Sequence, residues 1–386
     1  MKRVIFFVVA ILGMSAFSGT ASAREKYPKF KTDETSFNFS DLKHRIFQPP
    51  LATRNCCAFG YDAKVSFFPM VKITQVVGLE DLTHHSYANQ RSGKREQQGE
   101  MYSCHAGFLD TAHIRHALDW TAYFAVLLEK RLGRNKQTIR LLKEGGKRTL
   151  TLNPVDETLS RENIVTIAQR MSYDTTVWHE ILTWYSPAVV AFFSEKHSSF
   201  APEDNFSNLL GTYIARDALL SGRPFNQAAH EFTKKYLSDY DTRSRQEAFV
   251  AFDWVGSDFI SVEAWWDRKI KMPNSWSVLK RHLNAYPQVT PWQVPSREYM
   301  GCEIQNPPKF DVPEYITTPS GKVLKITDLY KIEIEANKKV PVPYLTGRQD
   351  SQLISHQDFP AAVEKVKEAI ILEFTENGYA DPTVIE

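Results

Sequence analysis

Beyond Phe17 the sequence has no apolar run approaching the ~20 residues that cross a bilayer, so no transmembrane helix is expected in the body of the chain. It is also short of net charge. Lys2 and Arg3 account for two of the 47 basic residues and residues 1–23 hold no acidic one, so the remainder sets 45 basic against 45 acidic residues. Nucleic acid and anionic membrane surfaces both demand a basic excess, and neither is expected as a partner. No Gly-x-Ser-x-Gly elbow and no phosphate-cradling glycine loop is present, which removes two common signatures of hydrolases and nucleotide binders. The four cysteines contain no CxxC spacing, which disfavours a cysteine-built zinc site. There is no internal repeat and no low-complexity tract.

What is present begins at the N-terminus. Met1-Lys2-Arg3 is a short positive region, Val4 to Phe17 is almost unbroken apolar sequence, and Ala21-Ser22-Ala23 supplies the small-x-small pattern that a signal peptidase cuts after. Residues 1–23 therefore read as a cleavable secretion signal, and the apolar run is too short for an uncleaved anchor. A periplasmic or secreted protein is expected, with no membrane insertion after cleavage. Arg24 at the first mature position leaves no cysteine there to carry a lipid. The 386 residues less these 23 leave 363, enough for one large domain or two smaller ones. An oxidising compartment tends to pair Cys56, Cys57, Cys104 and Cys302. Adjacent Cys56 and Cys57 would strain the backbone if bonded to each other, and the sequence does not choose among the pairings. One or two structural disulfides and a monomeric chain are expected.

The periodicities predict an α+β fold, predominantly helical, with a helical core and β-hairpins at residues 138–152 and 315–334. Residues 24–55 read as an extended leader, 56–290 as the core domain, and 291–386 as a proline-rich α+β segment packing on it. Met70 to Leu79 alternates β-branched residues and predicts a strand, and the charged stretch 86–100 predicts a mobile loop. Helices are predicted over Gly107–Arg131, where apolar and polar positions recur at three and four, and from Ser160, a helix-capping residue, to Tyr185. Further helices fit Pro202–Leu220, Asn226–Leu237, Arg243–Phe252 and Phe359–Phe374.

The sharpest chemical feature is Trp178-His179-Glu180-Ile181-Leu182-Thr183 on the second long helix. A His-Glu pair on a helix is the front half of a zinc-hydrolase pattern, in which the His binds metal and the Glu is general base for the activated water. The second His of that pattern would stand at position 183, where this chain has Thr183. Asp110-Thr111-Ala112-His113 places an acid and a His on one helical face, where His113 can supply the missing ligand. Asp110 would be a further ligand or the partner that fixes the His113 tautomer. Burying both costs several kcal/mol, about 2–7 per unpaired polar group, unless they pair or bind a metal. The plainer readings are a hydrogen-bonded Asp110–His113 pair, a satisfied core histidine at 179, and a macrodipole preference for Glu203 and Asp204 in the first turn after Pro202. His84-His85 reads as a solvated turn, Cys104-His105 as half of a disulfide, and Trp265-Trp266 as core.

Asp204-Asn205-Phe206-Ser207-Asn208-Leu209-Leu210-Gly211 resembles the glutamate helix of thermolysin-like metallopeptidases. The resemblance implies Asp204 as an acidic ligand, with Glu203 one position away as the alternative, and Asn208 as the residue that orients the metal-bound His. Asp replaces the family's Glu and Asn replaces its Asp. A wider set of strings resembles an exported bacterial family known as domain of unknown function 4056. They are Arg54-Asn55-Cys56-Cys57-Ala58-Phe59-Gly60, His85-Ser86-Tyr87, Tyr102-Ser103-Cys104, Gly107 to Arg115, Asp119 to Tyr123, Trp178 to Ile181 and Glu203 to Gly211. That resemblance spans most of residues 50–375, implies an envelope or secreted location, and brings no activity.

Together these features lead to an expected zinc-dependent hydrolase acting on an envelope substrate, with a peptide, amide or phosphodiester bond cleaved. His113, His179 and Asp204 or Glu203 are the expected ligands, Glu180 the expected base, and Asp110, Asn208 and Thr183 the expected supporting residues. The alternative is a non-catalytic envelope protein in which the same residues form a buried polar network or a structural metal site.

Overall fold

The computed structural model describes residues 27–43, 45–50, 76–88, 96–185, 199–257, 281–293, 301–303 and 306–376. The signal expected at 1–23, Cys56 and Cys57, residues 70–75 of the expected strand, residues 89–95 of the expected loop and Trp265-Trp266 lie outside these residues.

Two short strands, β1 (Phe30–Lys31) and β2 (Ile46–Phe47), pair antiparallel at the start. The hairpin β3 (Glu100–Ser103) and β4 (Gly107–Asp110) runs directly into helix α1 (Thr111–Arg131). Strands β5 (Gln137–Arg140) and β6 (Gly146–Leu152) follow, then α2 (Arg161–Tyr185), α3 (Asp204–Leu220), α4 (Phe225–Asp239) and α5 (Arg245–Ser257). The C-terminal part holds β7 (Gln288–Val289), β8 (Phe310–Asp311), β9 (Tyr315–Thr317), β10 (Val323–Lys325), α6 (Ile326–Leu329), β11 (Tyr330–Ala336), α7 (Val342–Thr346), β12 (Leu353–Ser355) and α8 (Phe359–Glu376). The fold is α+β: α1, α2 and α3 pack against one another as a helical core, and the sheets around it are small and antiparallel. No described helix is long and apolar enough to cross a membrane.

Helix α1 departs from the expected one-sided pattern, because nearly every residue from Thr111 to Leu128 is buried. A helix covered on all sides carries apolar residues all round, and here α2, α3 and the leader share the covering. The leader buries Phe30, Phe37, Phe39 and Phe47, and Tyr123 of α1 donates its hydroxyl to the Pro28 carbonyl at 3.2 Å. The helix also begins later than its periodicity suggests. Gly107 to Asp110, expected as its first turn, is strand β4, whose residues pair in register from Ser103↔Gly107 to Glu100↔Asp110. Gly107 has φ +62°, and a Cβ there would stand 2.0 Å from the Trp292 carbonyl oxygen, so glycine is required at the turn. Asp110 then caps the helix by accepting a hydrogen bond from Ala112 N at 2.7 Å. Helix α2 starts on a reciprocal cap, Ser160 Oγ accepting from Asn163 N and Asn163 Oδ1 from Ser160 N, both at 3.1 Å.

The hairpin expected at 138–152 forms as β5 and β6. In the second predicted hairpin, β9 and β10 pair, but the strand from Tyr330 leaves them. β11 alternates buried Tyr330, Ile332, Ile334 and Ala336 with more exposed Lys331, Glu333 and Glu335, and its apolar face continues that of β6. It joins β6 along its whole length, giving a four-stranded sheet in the order β12-β11-β6-β5.

Cys104, just after β3, is bonded to Cys302 across a sequence separation of 198. Closing a loop of that length removes unfolded-state entropy worth about 5 kcal/mol in the chain-entropy account. Thermal melts with and without a strong thiol reductant are expected to show a large fall in Tm on reduction, and an unchanged Tm would contradict that role.

Candidate metal centre

Three groups converge from three helices: His113 in the first turn of α1, Glu180 late in α2 and Asp204 at the start of α3. Each offers a ligand atom, and those atoms lie within 4.8 Å of one another. The local turns explain why. Asp110, the cap of α1, holds His113 Nδ1 at 2.5 Å from its Oδ2, while its own N–H donates to Ser207 Oγ of α3 at 2.9 Å. Glu180 Oε2 accepts from Phe200 N at 3.0 Å, and Asp204 Oδ2 accepts from Ala201 N at 2.8 Å. The turn 199–203 therefore ties the end of α2 to the beginning of α3.

Each carboxylate is thus fixed by one oxygen, and the other points inward. Glu180 Oε1 makes no hydrogen bond and lies 3.7 Å from His113 Nε2; Asp204 Oδ1 lies 3.5 Å from His113 Nδ1. In the neutral ring with Nδ1–H donating to Asp110, Nε2 carries a lone pair that faces the lone pairs of Glu180 Oε1; in the protonated ring Nε2–H faces them instead. Two buried acceptors facing each other require a proton or a cation between them. Two bonds near 2.0 Å meeting at a tetrahedral angle separate their donor atoms by about 3.3 Å, against 3.7 Å between His113 Nε2 and Glu180 Oε1. The donor set suits zinc, and the carboxylate that holds the distal ring nitrogen is the usual support of a metal-bound imidazole.

The electrostatics agree with the geometry. Asp110, Glu180, Glu203 and Asp204 are each no more than 2% exposed, and His113 is 8% exposed. Burial, followed by the charges of Glu180, Glu203 and Asp110, pushes the Asp204 carboxyl well above its ordinary range. Burial alone would lower the His113 pKa, but the charge and hydrogen bond of Asp110 and the charge of Glu180 raise it. Arg281, 2% exposed, is the counter-cation: burial lowers its pKa to about 10 against the pull of Asp204 and Glu203, so it stays charged at neutral pH. With the His113 ring neutral, one guanidinium among this many buried carboxylates leaves an excess of negative charge, which costs several kcal/mol per ion without a cation.

Of the expected ligands, His113 and Asp204 are among the three convergent groups, and the third is Glu180, expected as a base. His179 does not join them: its Nδ1 lies 2.9 Å from Glu144 Oε1 in the β5–β6 turn, and Glu144 Oε2 lies 2.6 Å from Arg148 Nη1. Neighbours on a helix differ by about 100° in direction, and here Glu180 turns towards His113 while His179 turns towards Glu144. His179, expected as a ligand from the thermolysin-like pattern, is not among the three convergent groups. Glu203 is buried next to Asp204 but lies outside the convergent trio. Thr183 donates its hydroxyl to the His179 carbonyl at 2.8 Å, and Asn208 is buried with an Oδ1 that makes no hydrogen bond.

Two participants escaped the sequence reading. Arg281 carried no local signal. Glu100 lay in the stretch expected as a mobile loop, yet it is fully buried opposite Asp110, and directly paired antiparallel residues project to the same face. Glu96 of the same stretch is also buried, accepting from Ser86 N at 2.9 Å. His85, expected in a solvated turn, is buried with Nε2 3.0 Å from Asp119 Oδ1 and so pins its segment to α1.

Gly211 sets the spacing of the helices that bear two of the three groups. A Cβ there would stand 2.2 Å from the Ile114 carbonyl oxygen on α1. Gly211→Ala is expected to cost roughly 1–3 kcal/mol, the range of overpacked cores, read as a lowered denaturation midpoint. A loss within 0.5 kcal/mol would show that α1 and α3 can part freely.

Residues 44–295 match the profile of a family described as "Protein of unknown function (DUF4056)". No curated protein and no solved structure matches the chain.

Proposed function

Because the chain belongs to the DUF4056 family, whose description assigns no activity, we propose its role from the centre itself: a metal-dependent hydrolase, with zinc held by His113, Glu180 and Asp204. The observation that carries this reading is the convergence of ligand atoms of His113, Glu180 and Asp204 to within 4.8 Å, with His113 Nε2 3.7 Å from Glu180 Oε1. Three protein ligands leave a coordination position open, as hydrolytic zinc sites do. The bound ion would polarise a carbonyl or phosphoryl oxygen and activate water. Asp110 holds His113 Nδ1–H and fixes the ring. Glu203, buried beside Asp204 and outside the convergent trio, would be the candidate for the proton-accepting role first read for Glu180. The bond cleaved is a peptide, amide or phosphodiester of an envelope substrate. Export to the periplasm or beyond is part of the proposal, supported by the pattern of residues 1–23 and by the buried Cys104–Cys302 disulfide.

The burial of all three groups favours a second reading, in which the ion is structural and the protein is not an enzyme. Metal analysis of the purified protein tests what both readings share. Stoichiometric zinc is expected, lost in His113→Ala and retained in His179→Ala; full metal content in His113→Ala would sink both. Metal-dependent turnover in a broad hydrolase screen then selects the first, and metal-dependent stability without turnover the second.

A further inference from the structure

Apart from the acidic centre, a cavity of about 450 Å³ opens between α2, residues 283–287, residues 312–314 and the first turn of α8. Its buried lining is Leu283, Val312, Val363 and one charged group, Arg170; its exposed lining includes Glu314, Ala361 and Glu364. Arg170, 7% exposed, lines the otherwise apolar floor. Its Nε is 2.9 Å from Asp174 Oδ1, its Nη1 donates to the Pro313 carbonyl at 3.2 Å, and its Cζ sits 5.3 Å from the Tyr286 ring centroid.

Asp174 is fully engaged. It also accepts from Tyr286 OH at 2.8 Å and Tyr330 OH at 2.6 Å. The guanidinium has five N–H donors in a planar fork, of which the hydrogen bonds to Asp174 and Pro313 engage donors on Nε and Nη1. The tyrosines and Asp174 hold the fork rigid, so a carboxylate meeting it would need little reorganisation. The first turn of α8 adds the positive end of a helix dipole on the same side. The rim has the opposite sign, with Glu314 and Glu364.

We propose that this cavity binds a short peptide with free termini, its α-carboxylate on Arg170 and its ammonium group between Glu314 and Glu364. A compact cavity of this volume is on the order of 8 Å across, and two extended residues span about 7 Å. The apolar walls between floor and rim receive the side chains. The metal centre contributes nothing to this site.

Calorimetric titration with the dipeptide alanyl-leucine, its C-terminal amide and its N-acetyl form tests the assignment. The free dipeptide is expected to bind, and each blocked form to bind ~10–100-fold more weakly, as expected when one charge-assisted contact is lost. Ala361→Trp fills the exposed mouth without touching the buried network, and is expected to abolish binding at unchanged Tm. The double variant Glu314→Gln, Glu364→Gln is expected to bind the free and N-acetyl forms alike. Absence of binding to the intact protein at about 10 mM dipeptide, equal binding of dipeptide and amide, or undiminished binding in Ala361→Trp would each overturn the proposal.

Discussion

Asp204→Asn is expected to melt at a higher temperature than the chelated wild-type protein at neutral pH, and to gain nothing from added zinc. The carboxylate at 204 is buried among Glu180, Glu203 and Asp110, so without a cation its ionisation is opposed by burial and by three like charges. An asparagine keeps the oxygen that accepts from Ala201 N and removes the charge. Relief of an uncompensated buried charge by a neutral group of similar volume is worth roughly 1–4 kcal/mol. The same change removes a ligand, so the wild-type protein should overtake the variant once zinc is supplied. Melting curves of both proteins with chelator and with zinc supply the four values needed. If chelated wild type and variant melt together, the acidic cluster is not under electrostatic strain, and the case for a cation there falls with it.

A second large effect is in the pH dependence. Asp204 and His113 both have folded-state pKa values above their ordinary ones, and so bind more protons folded than unfolded. For Asp204 the stabilisation is complete below its ordinary value of 3.8 and is lost as pH rises through its folded pKa. For His113 it is complete below 6.5 and is lost as pH rises above that value. The chelated protein should therefore lose stability from weakly acidic towards neutral and alkaline pH. Glu144 acts in the opposite sense. Burial would raise its pKa, but Arg148 and His179 lower it to about 2, so its contribution is present above 4.5 and disappears as pH falls towards 2. A stability maximum on the acid side of neutrality follows for the metal-free protein. Zinc binds the deprotonated ligands, so its stabilisation grows over the range in which the metal-free protein weakens. Denaturation midpoints from pH 4 to 9, with and without zinc, should diverge as pH rises; parallel curves would exclude His113 and Asp204 as ligands.

Much of this was legible in the sequence because it is local. The spacing of α1, α2 and α3, the capping of α2 by Ser160, and the shared face of Asp110 and His113 all follow from residues a few positions apart. Asp204 at a helix start is legible for the same reason. The choice between His179 and Glu180 is not local. Both lie on α2, and only the rotation of that helix against α1 decides which one meets His113, while Glu144 in a distant turn receives the other. Glu100 was hidden for a related reason: a charged residue reads as solvated until its register with Asp110 is known. The bond between Cys104 and Cys302 likewise depends on a separation that no spacing rule spans.

The pairing of β6 with β11 has a consequence for how the family's unit of inheritance is drawn. The matched region ends at residue 295, yet the partner of β6 within the sheet is Tyr330–Ala336. A chain cut at that limit would leave Gly146–Leu152 with open backbone donors and acceptors along one side, the template by which strands recruit foreign strands. It would also remove the other half of the bond to Cys104. The stretch recognised by sequence and the stretch that completes the sheet are therefore different objects. The second includes the strand that seals the first.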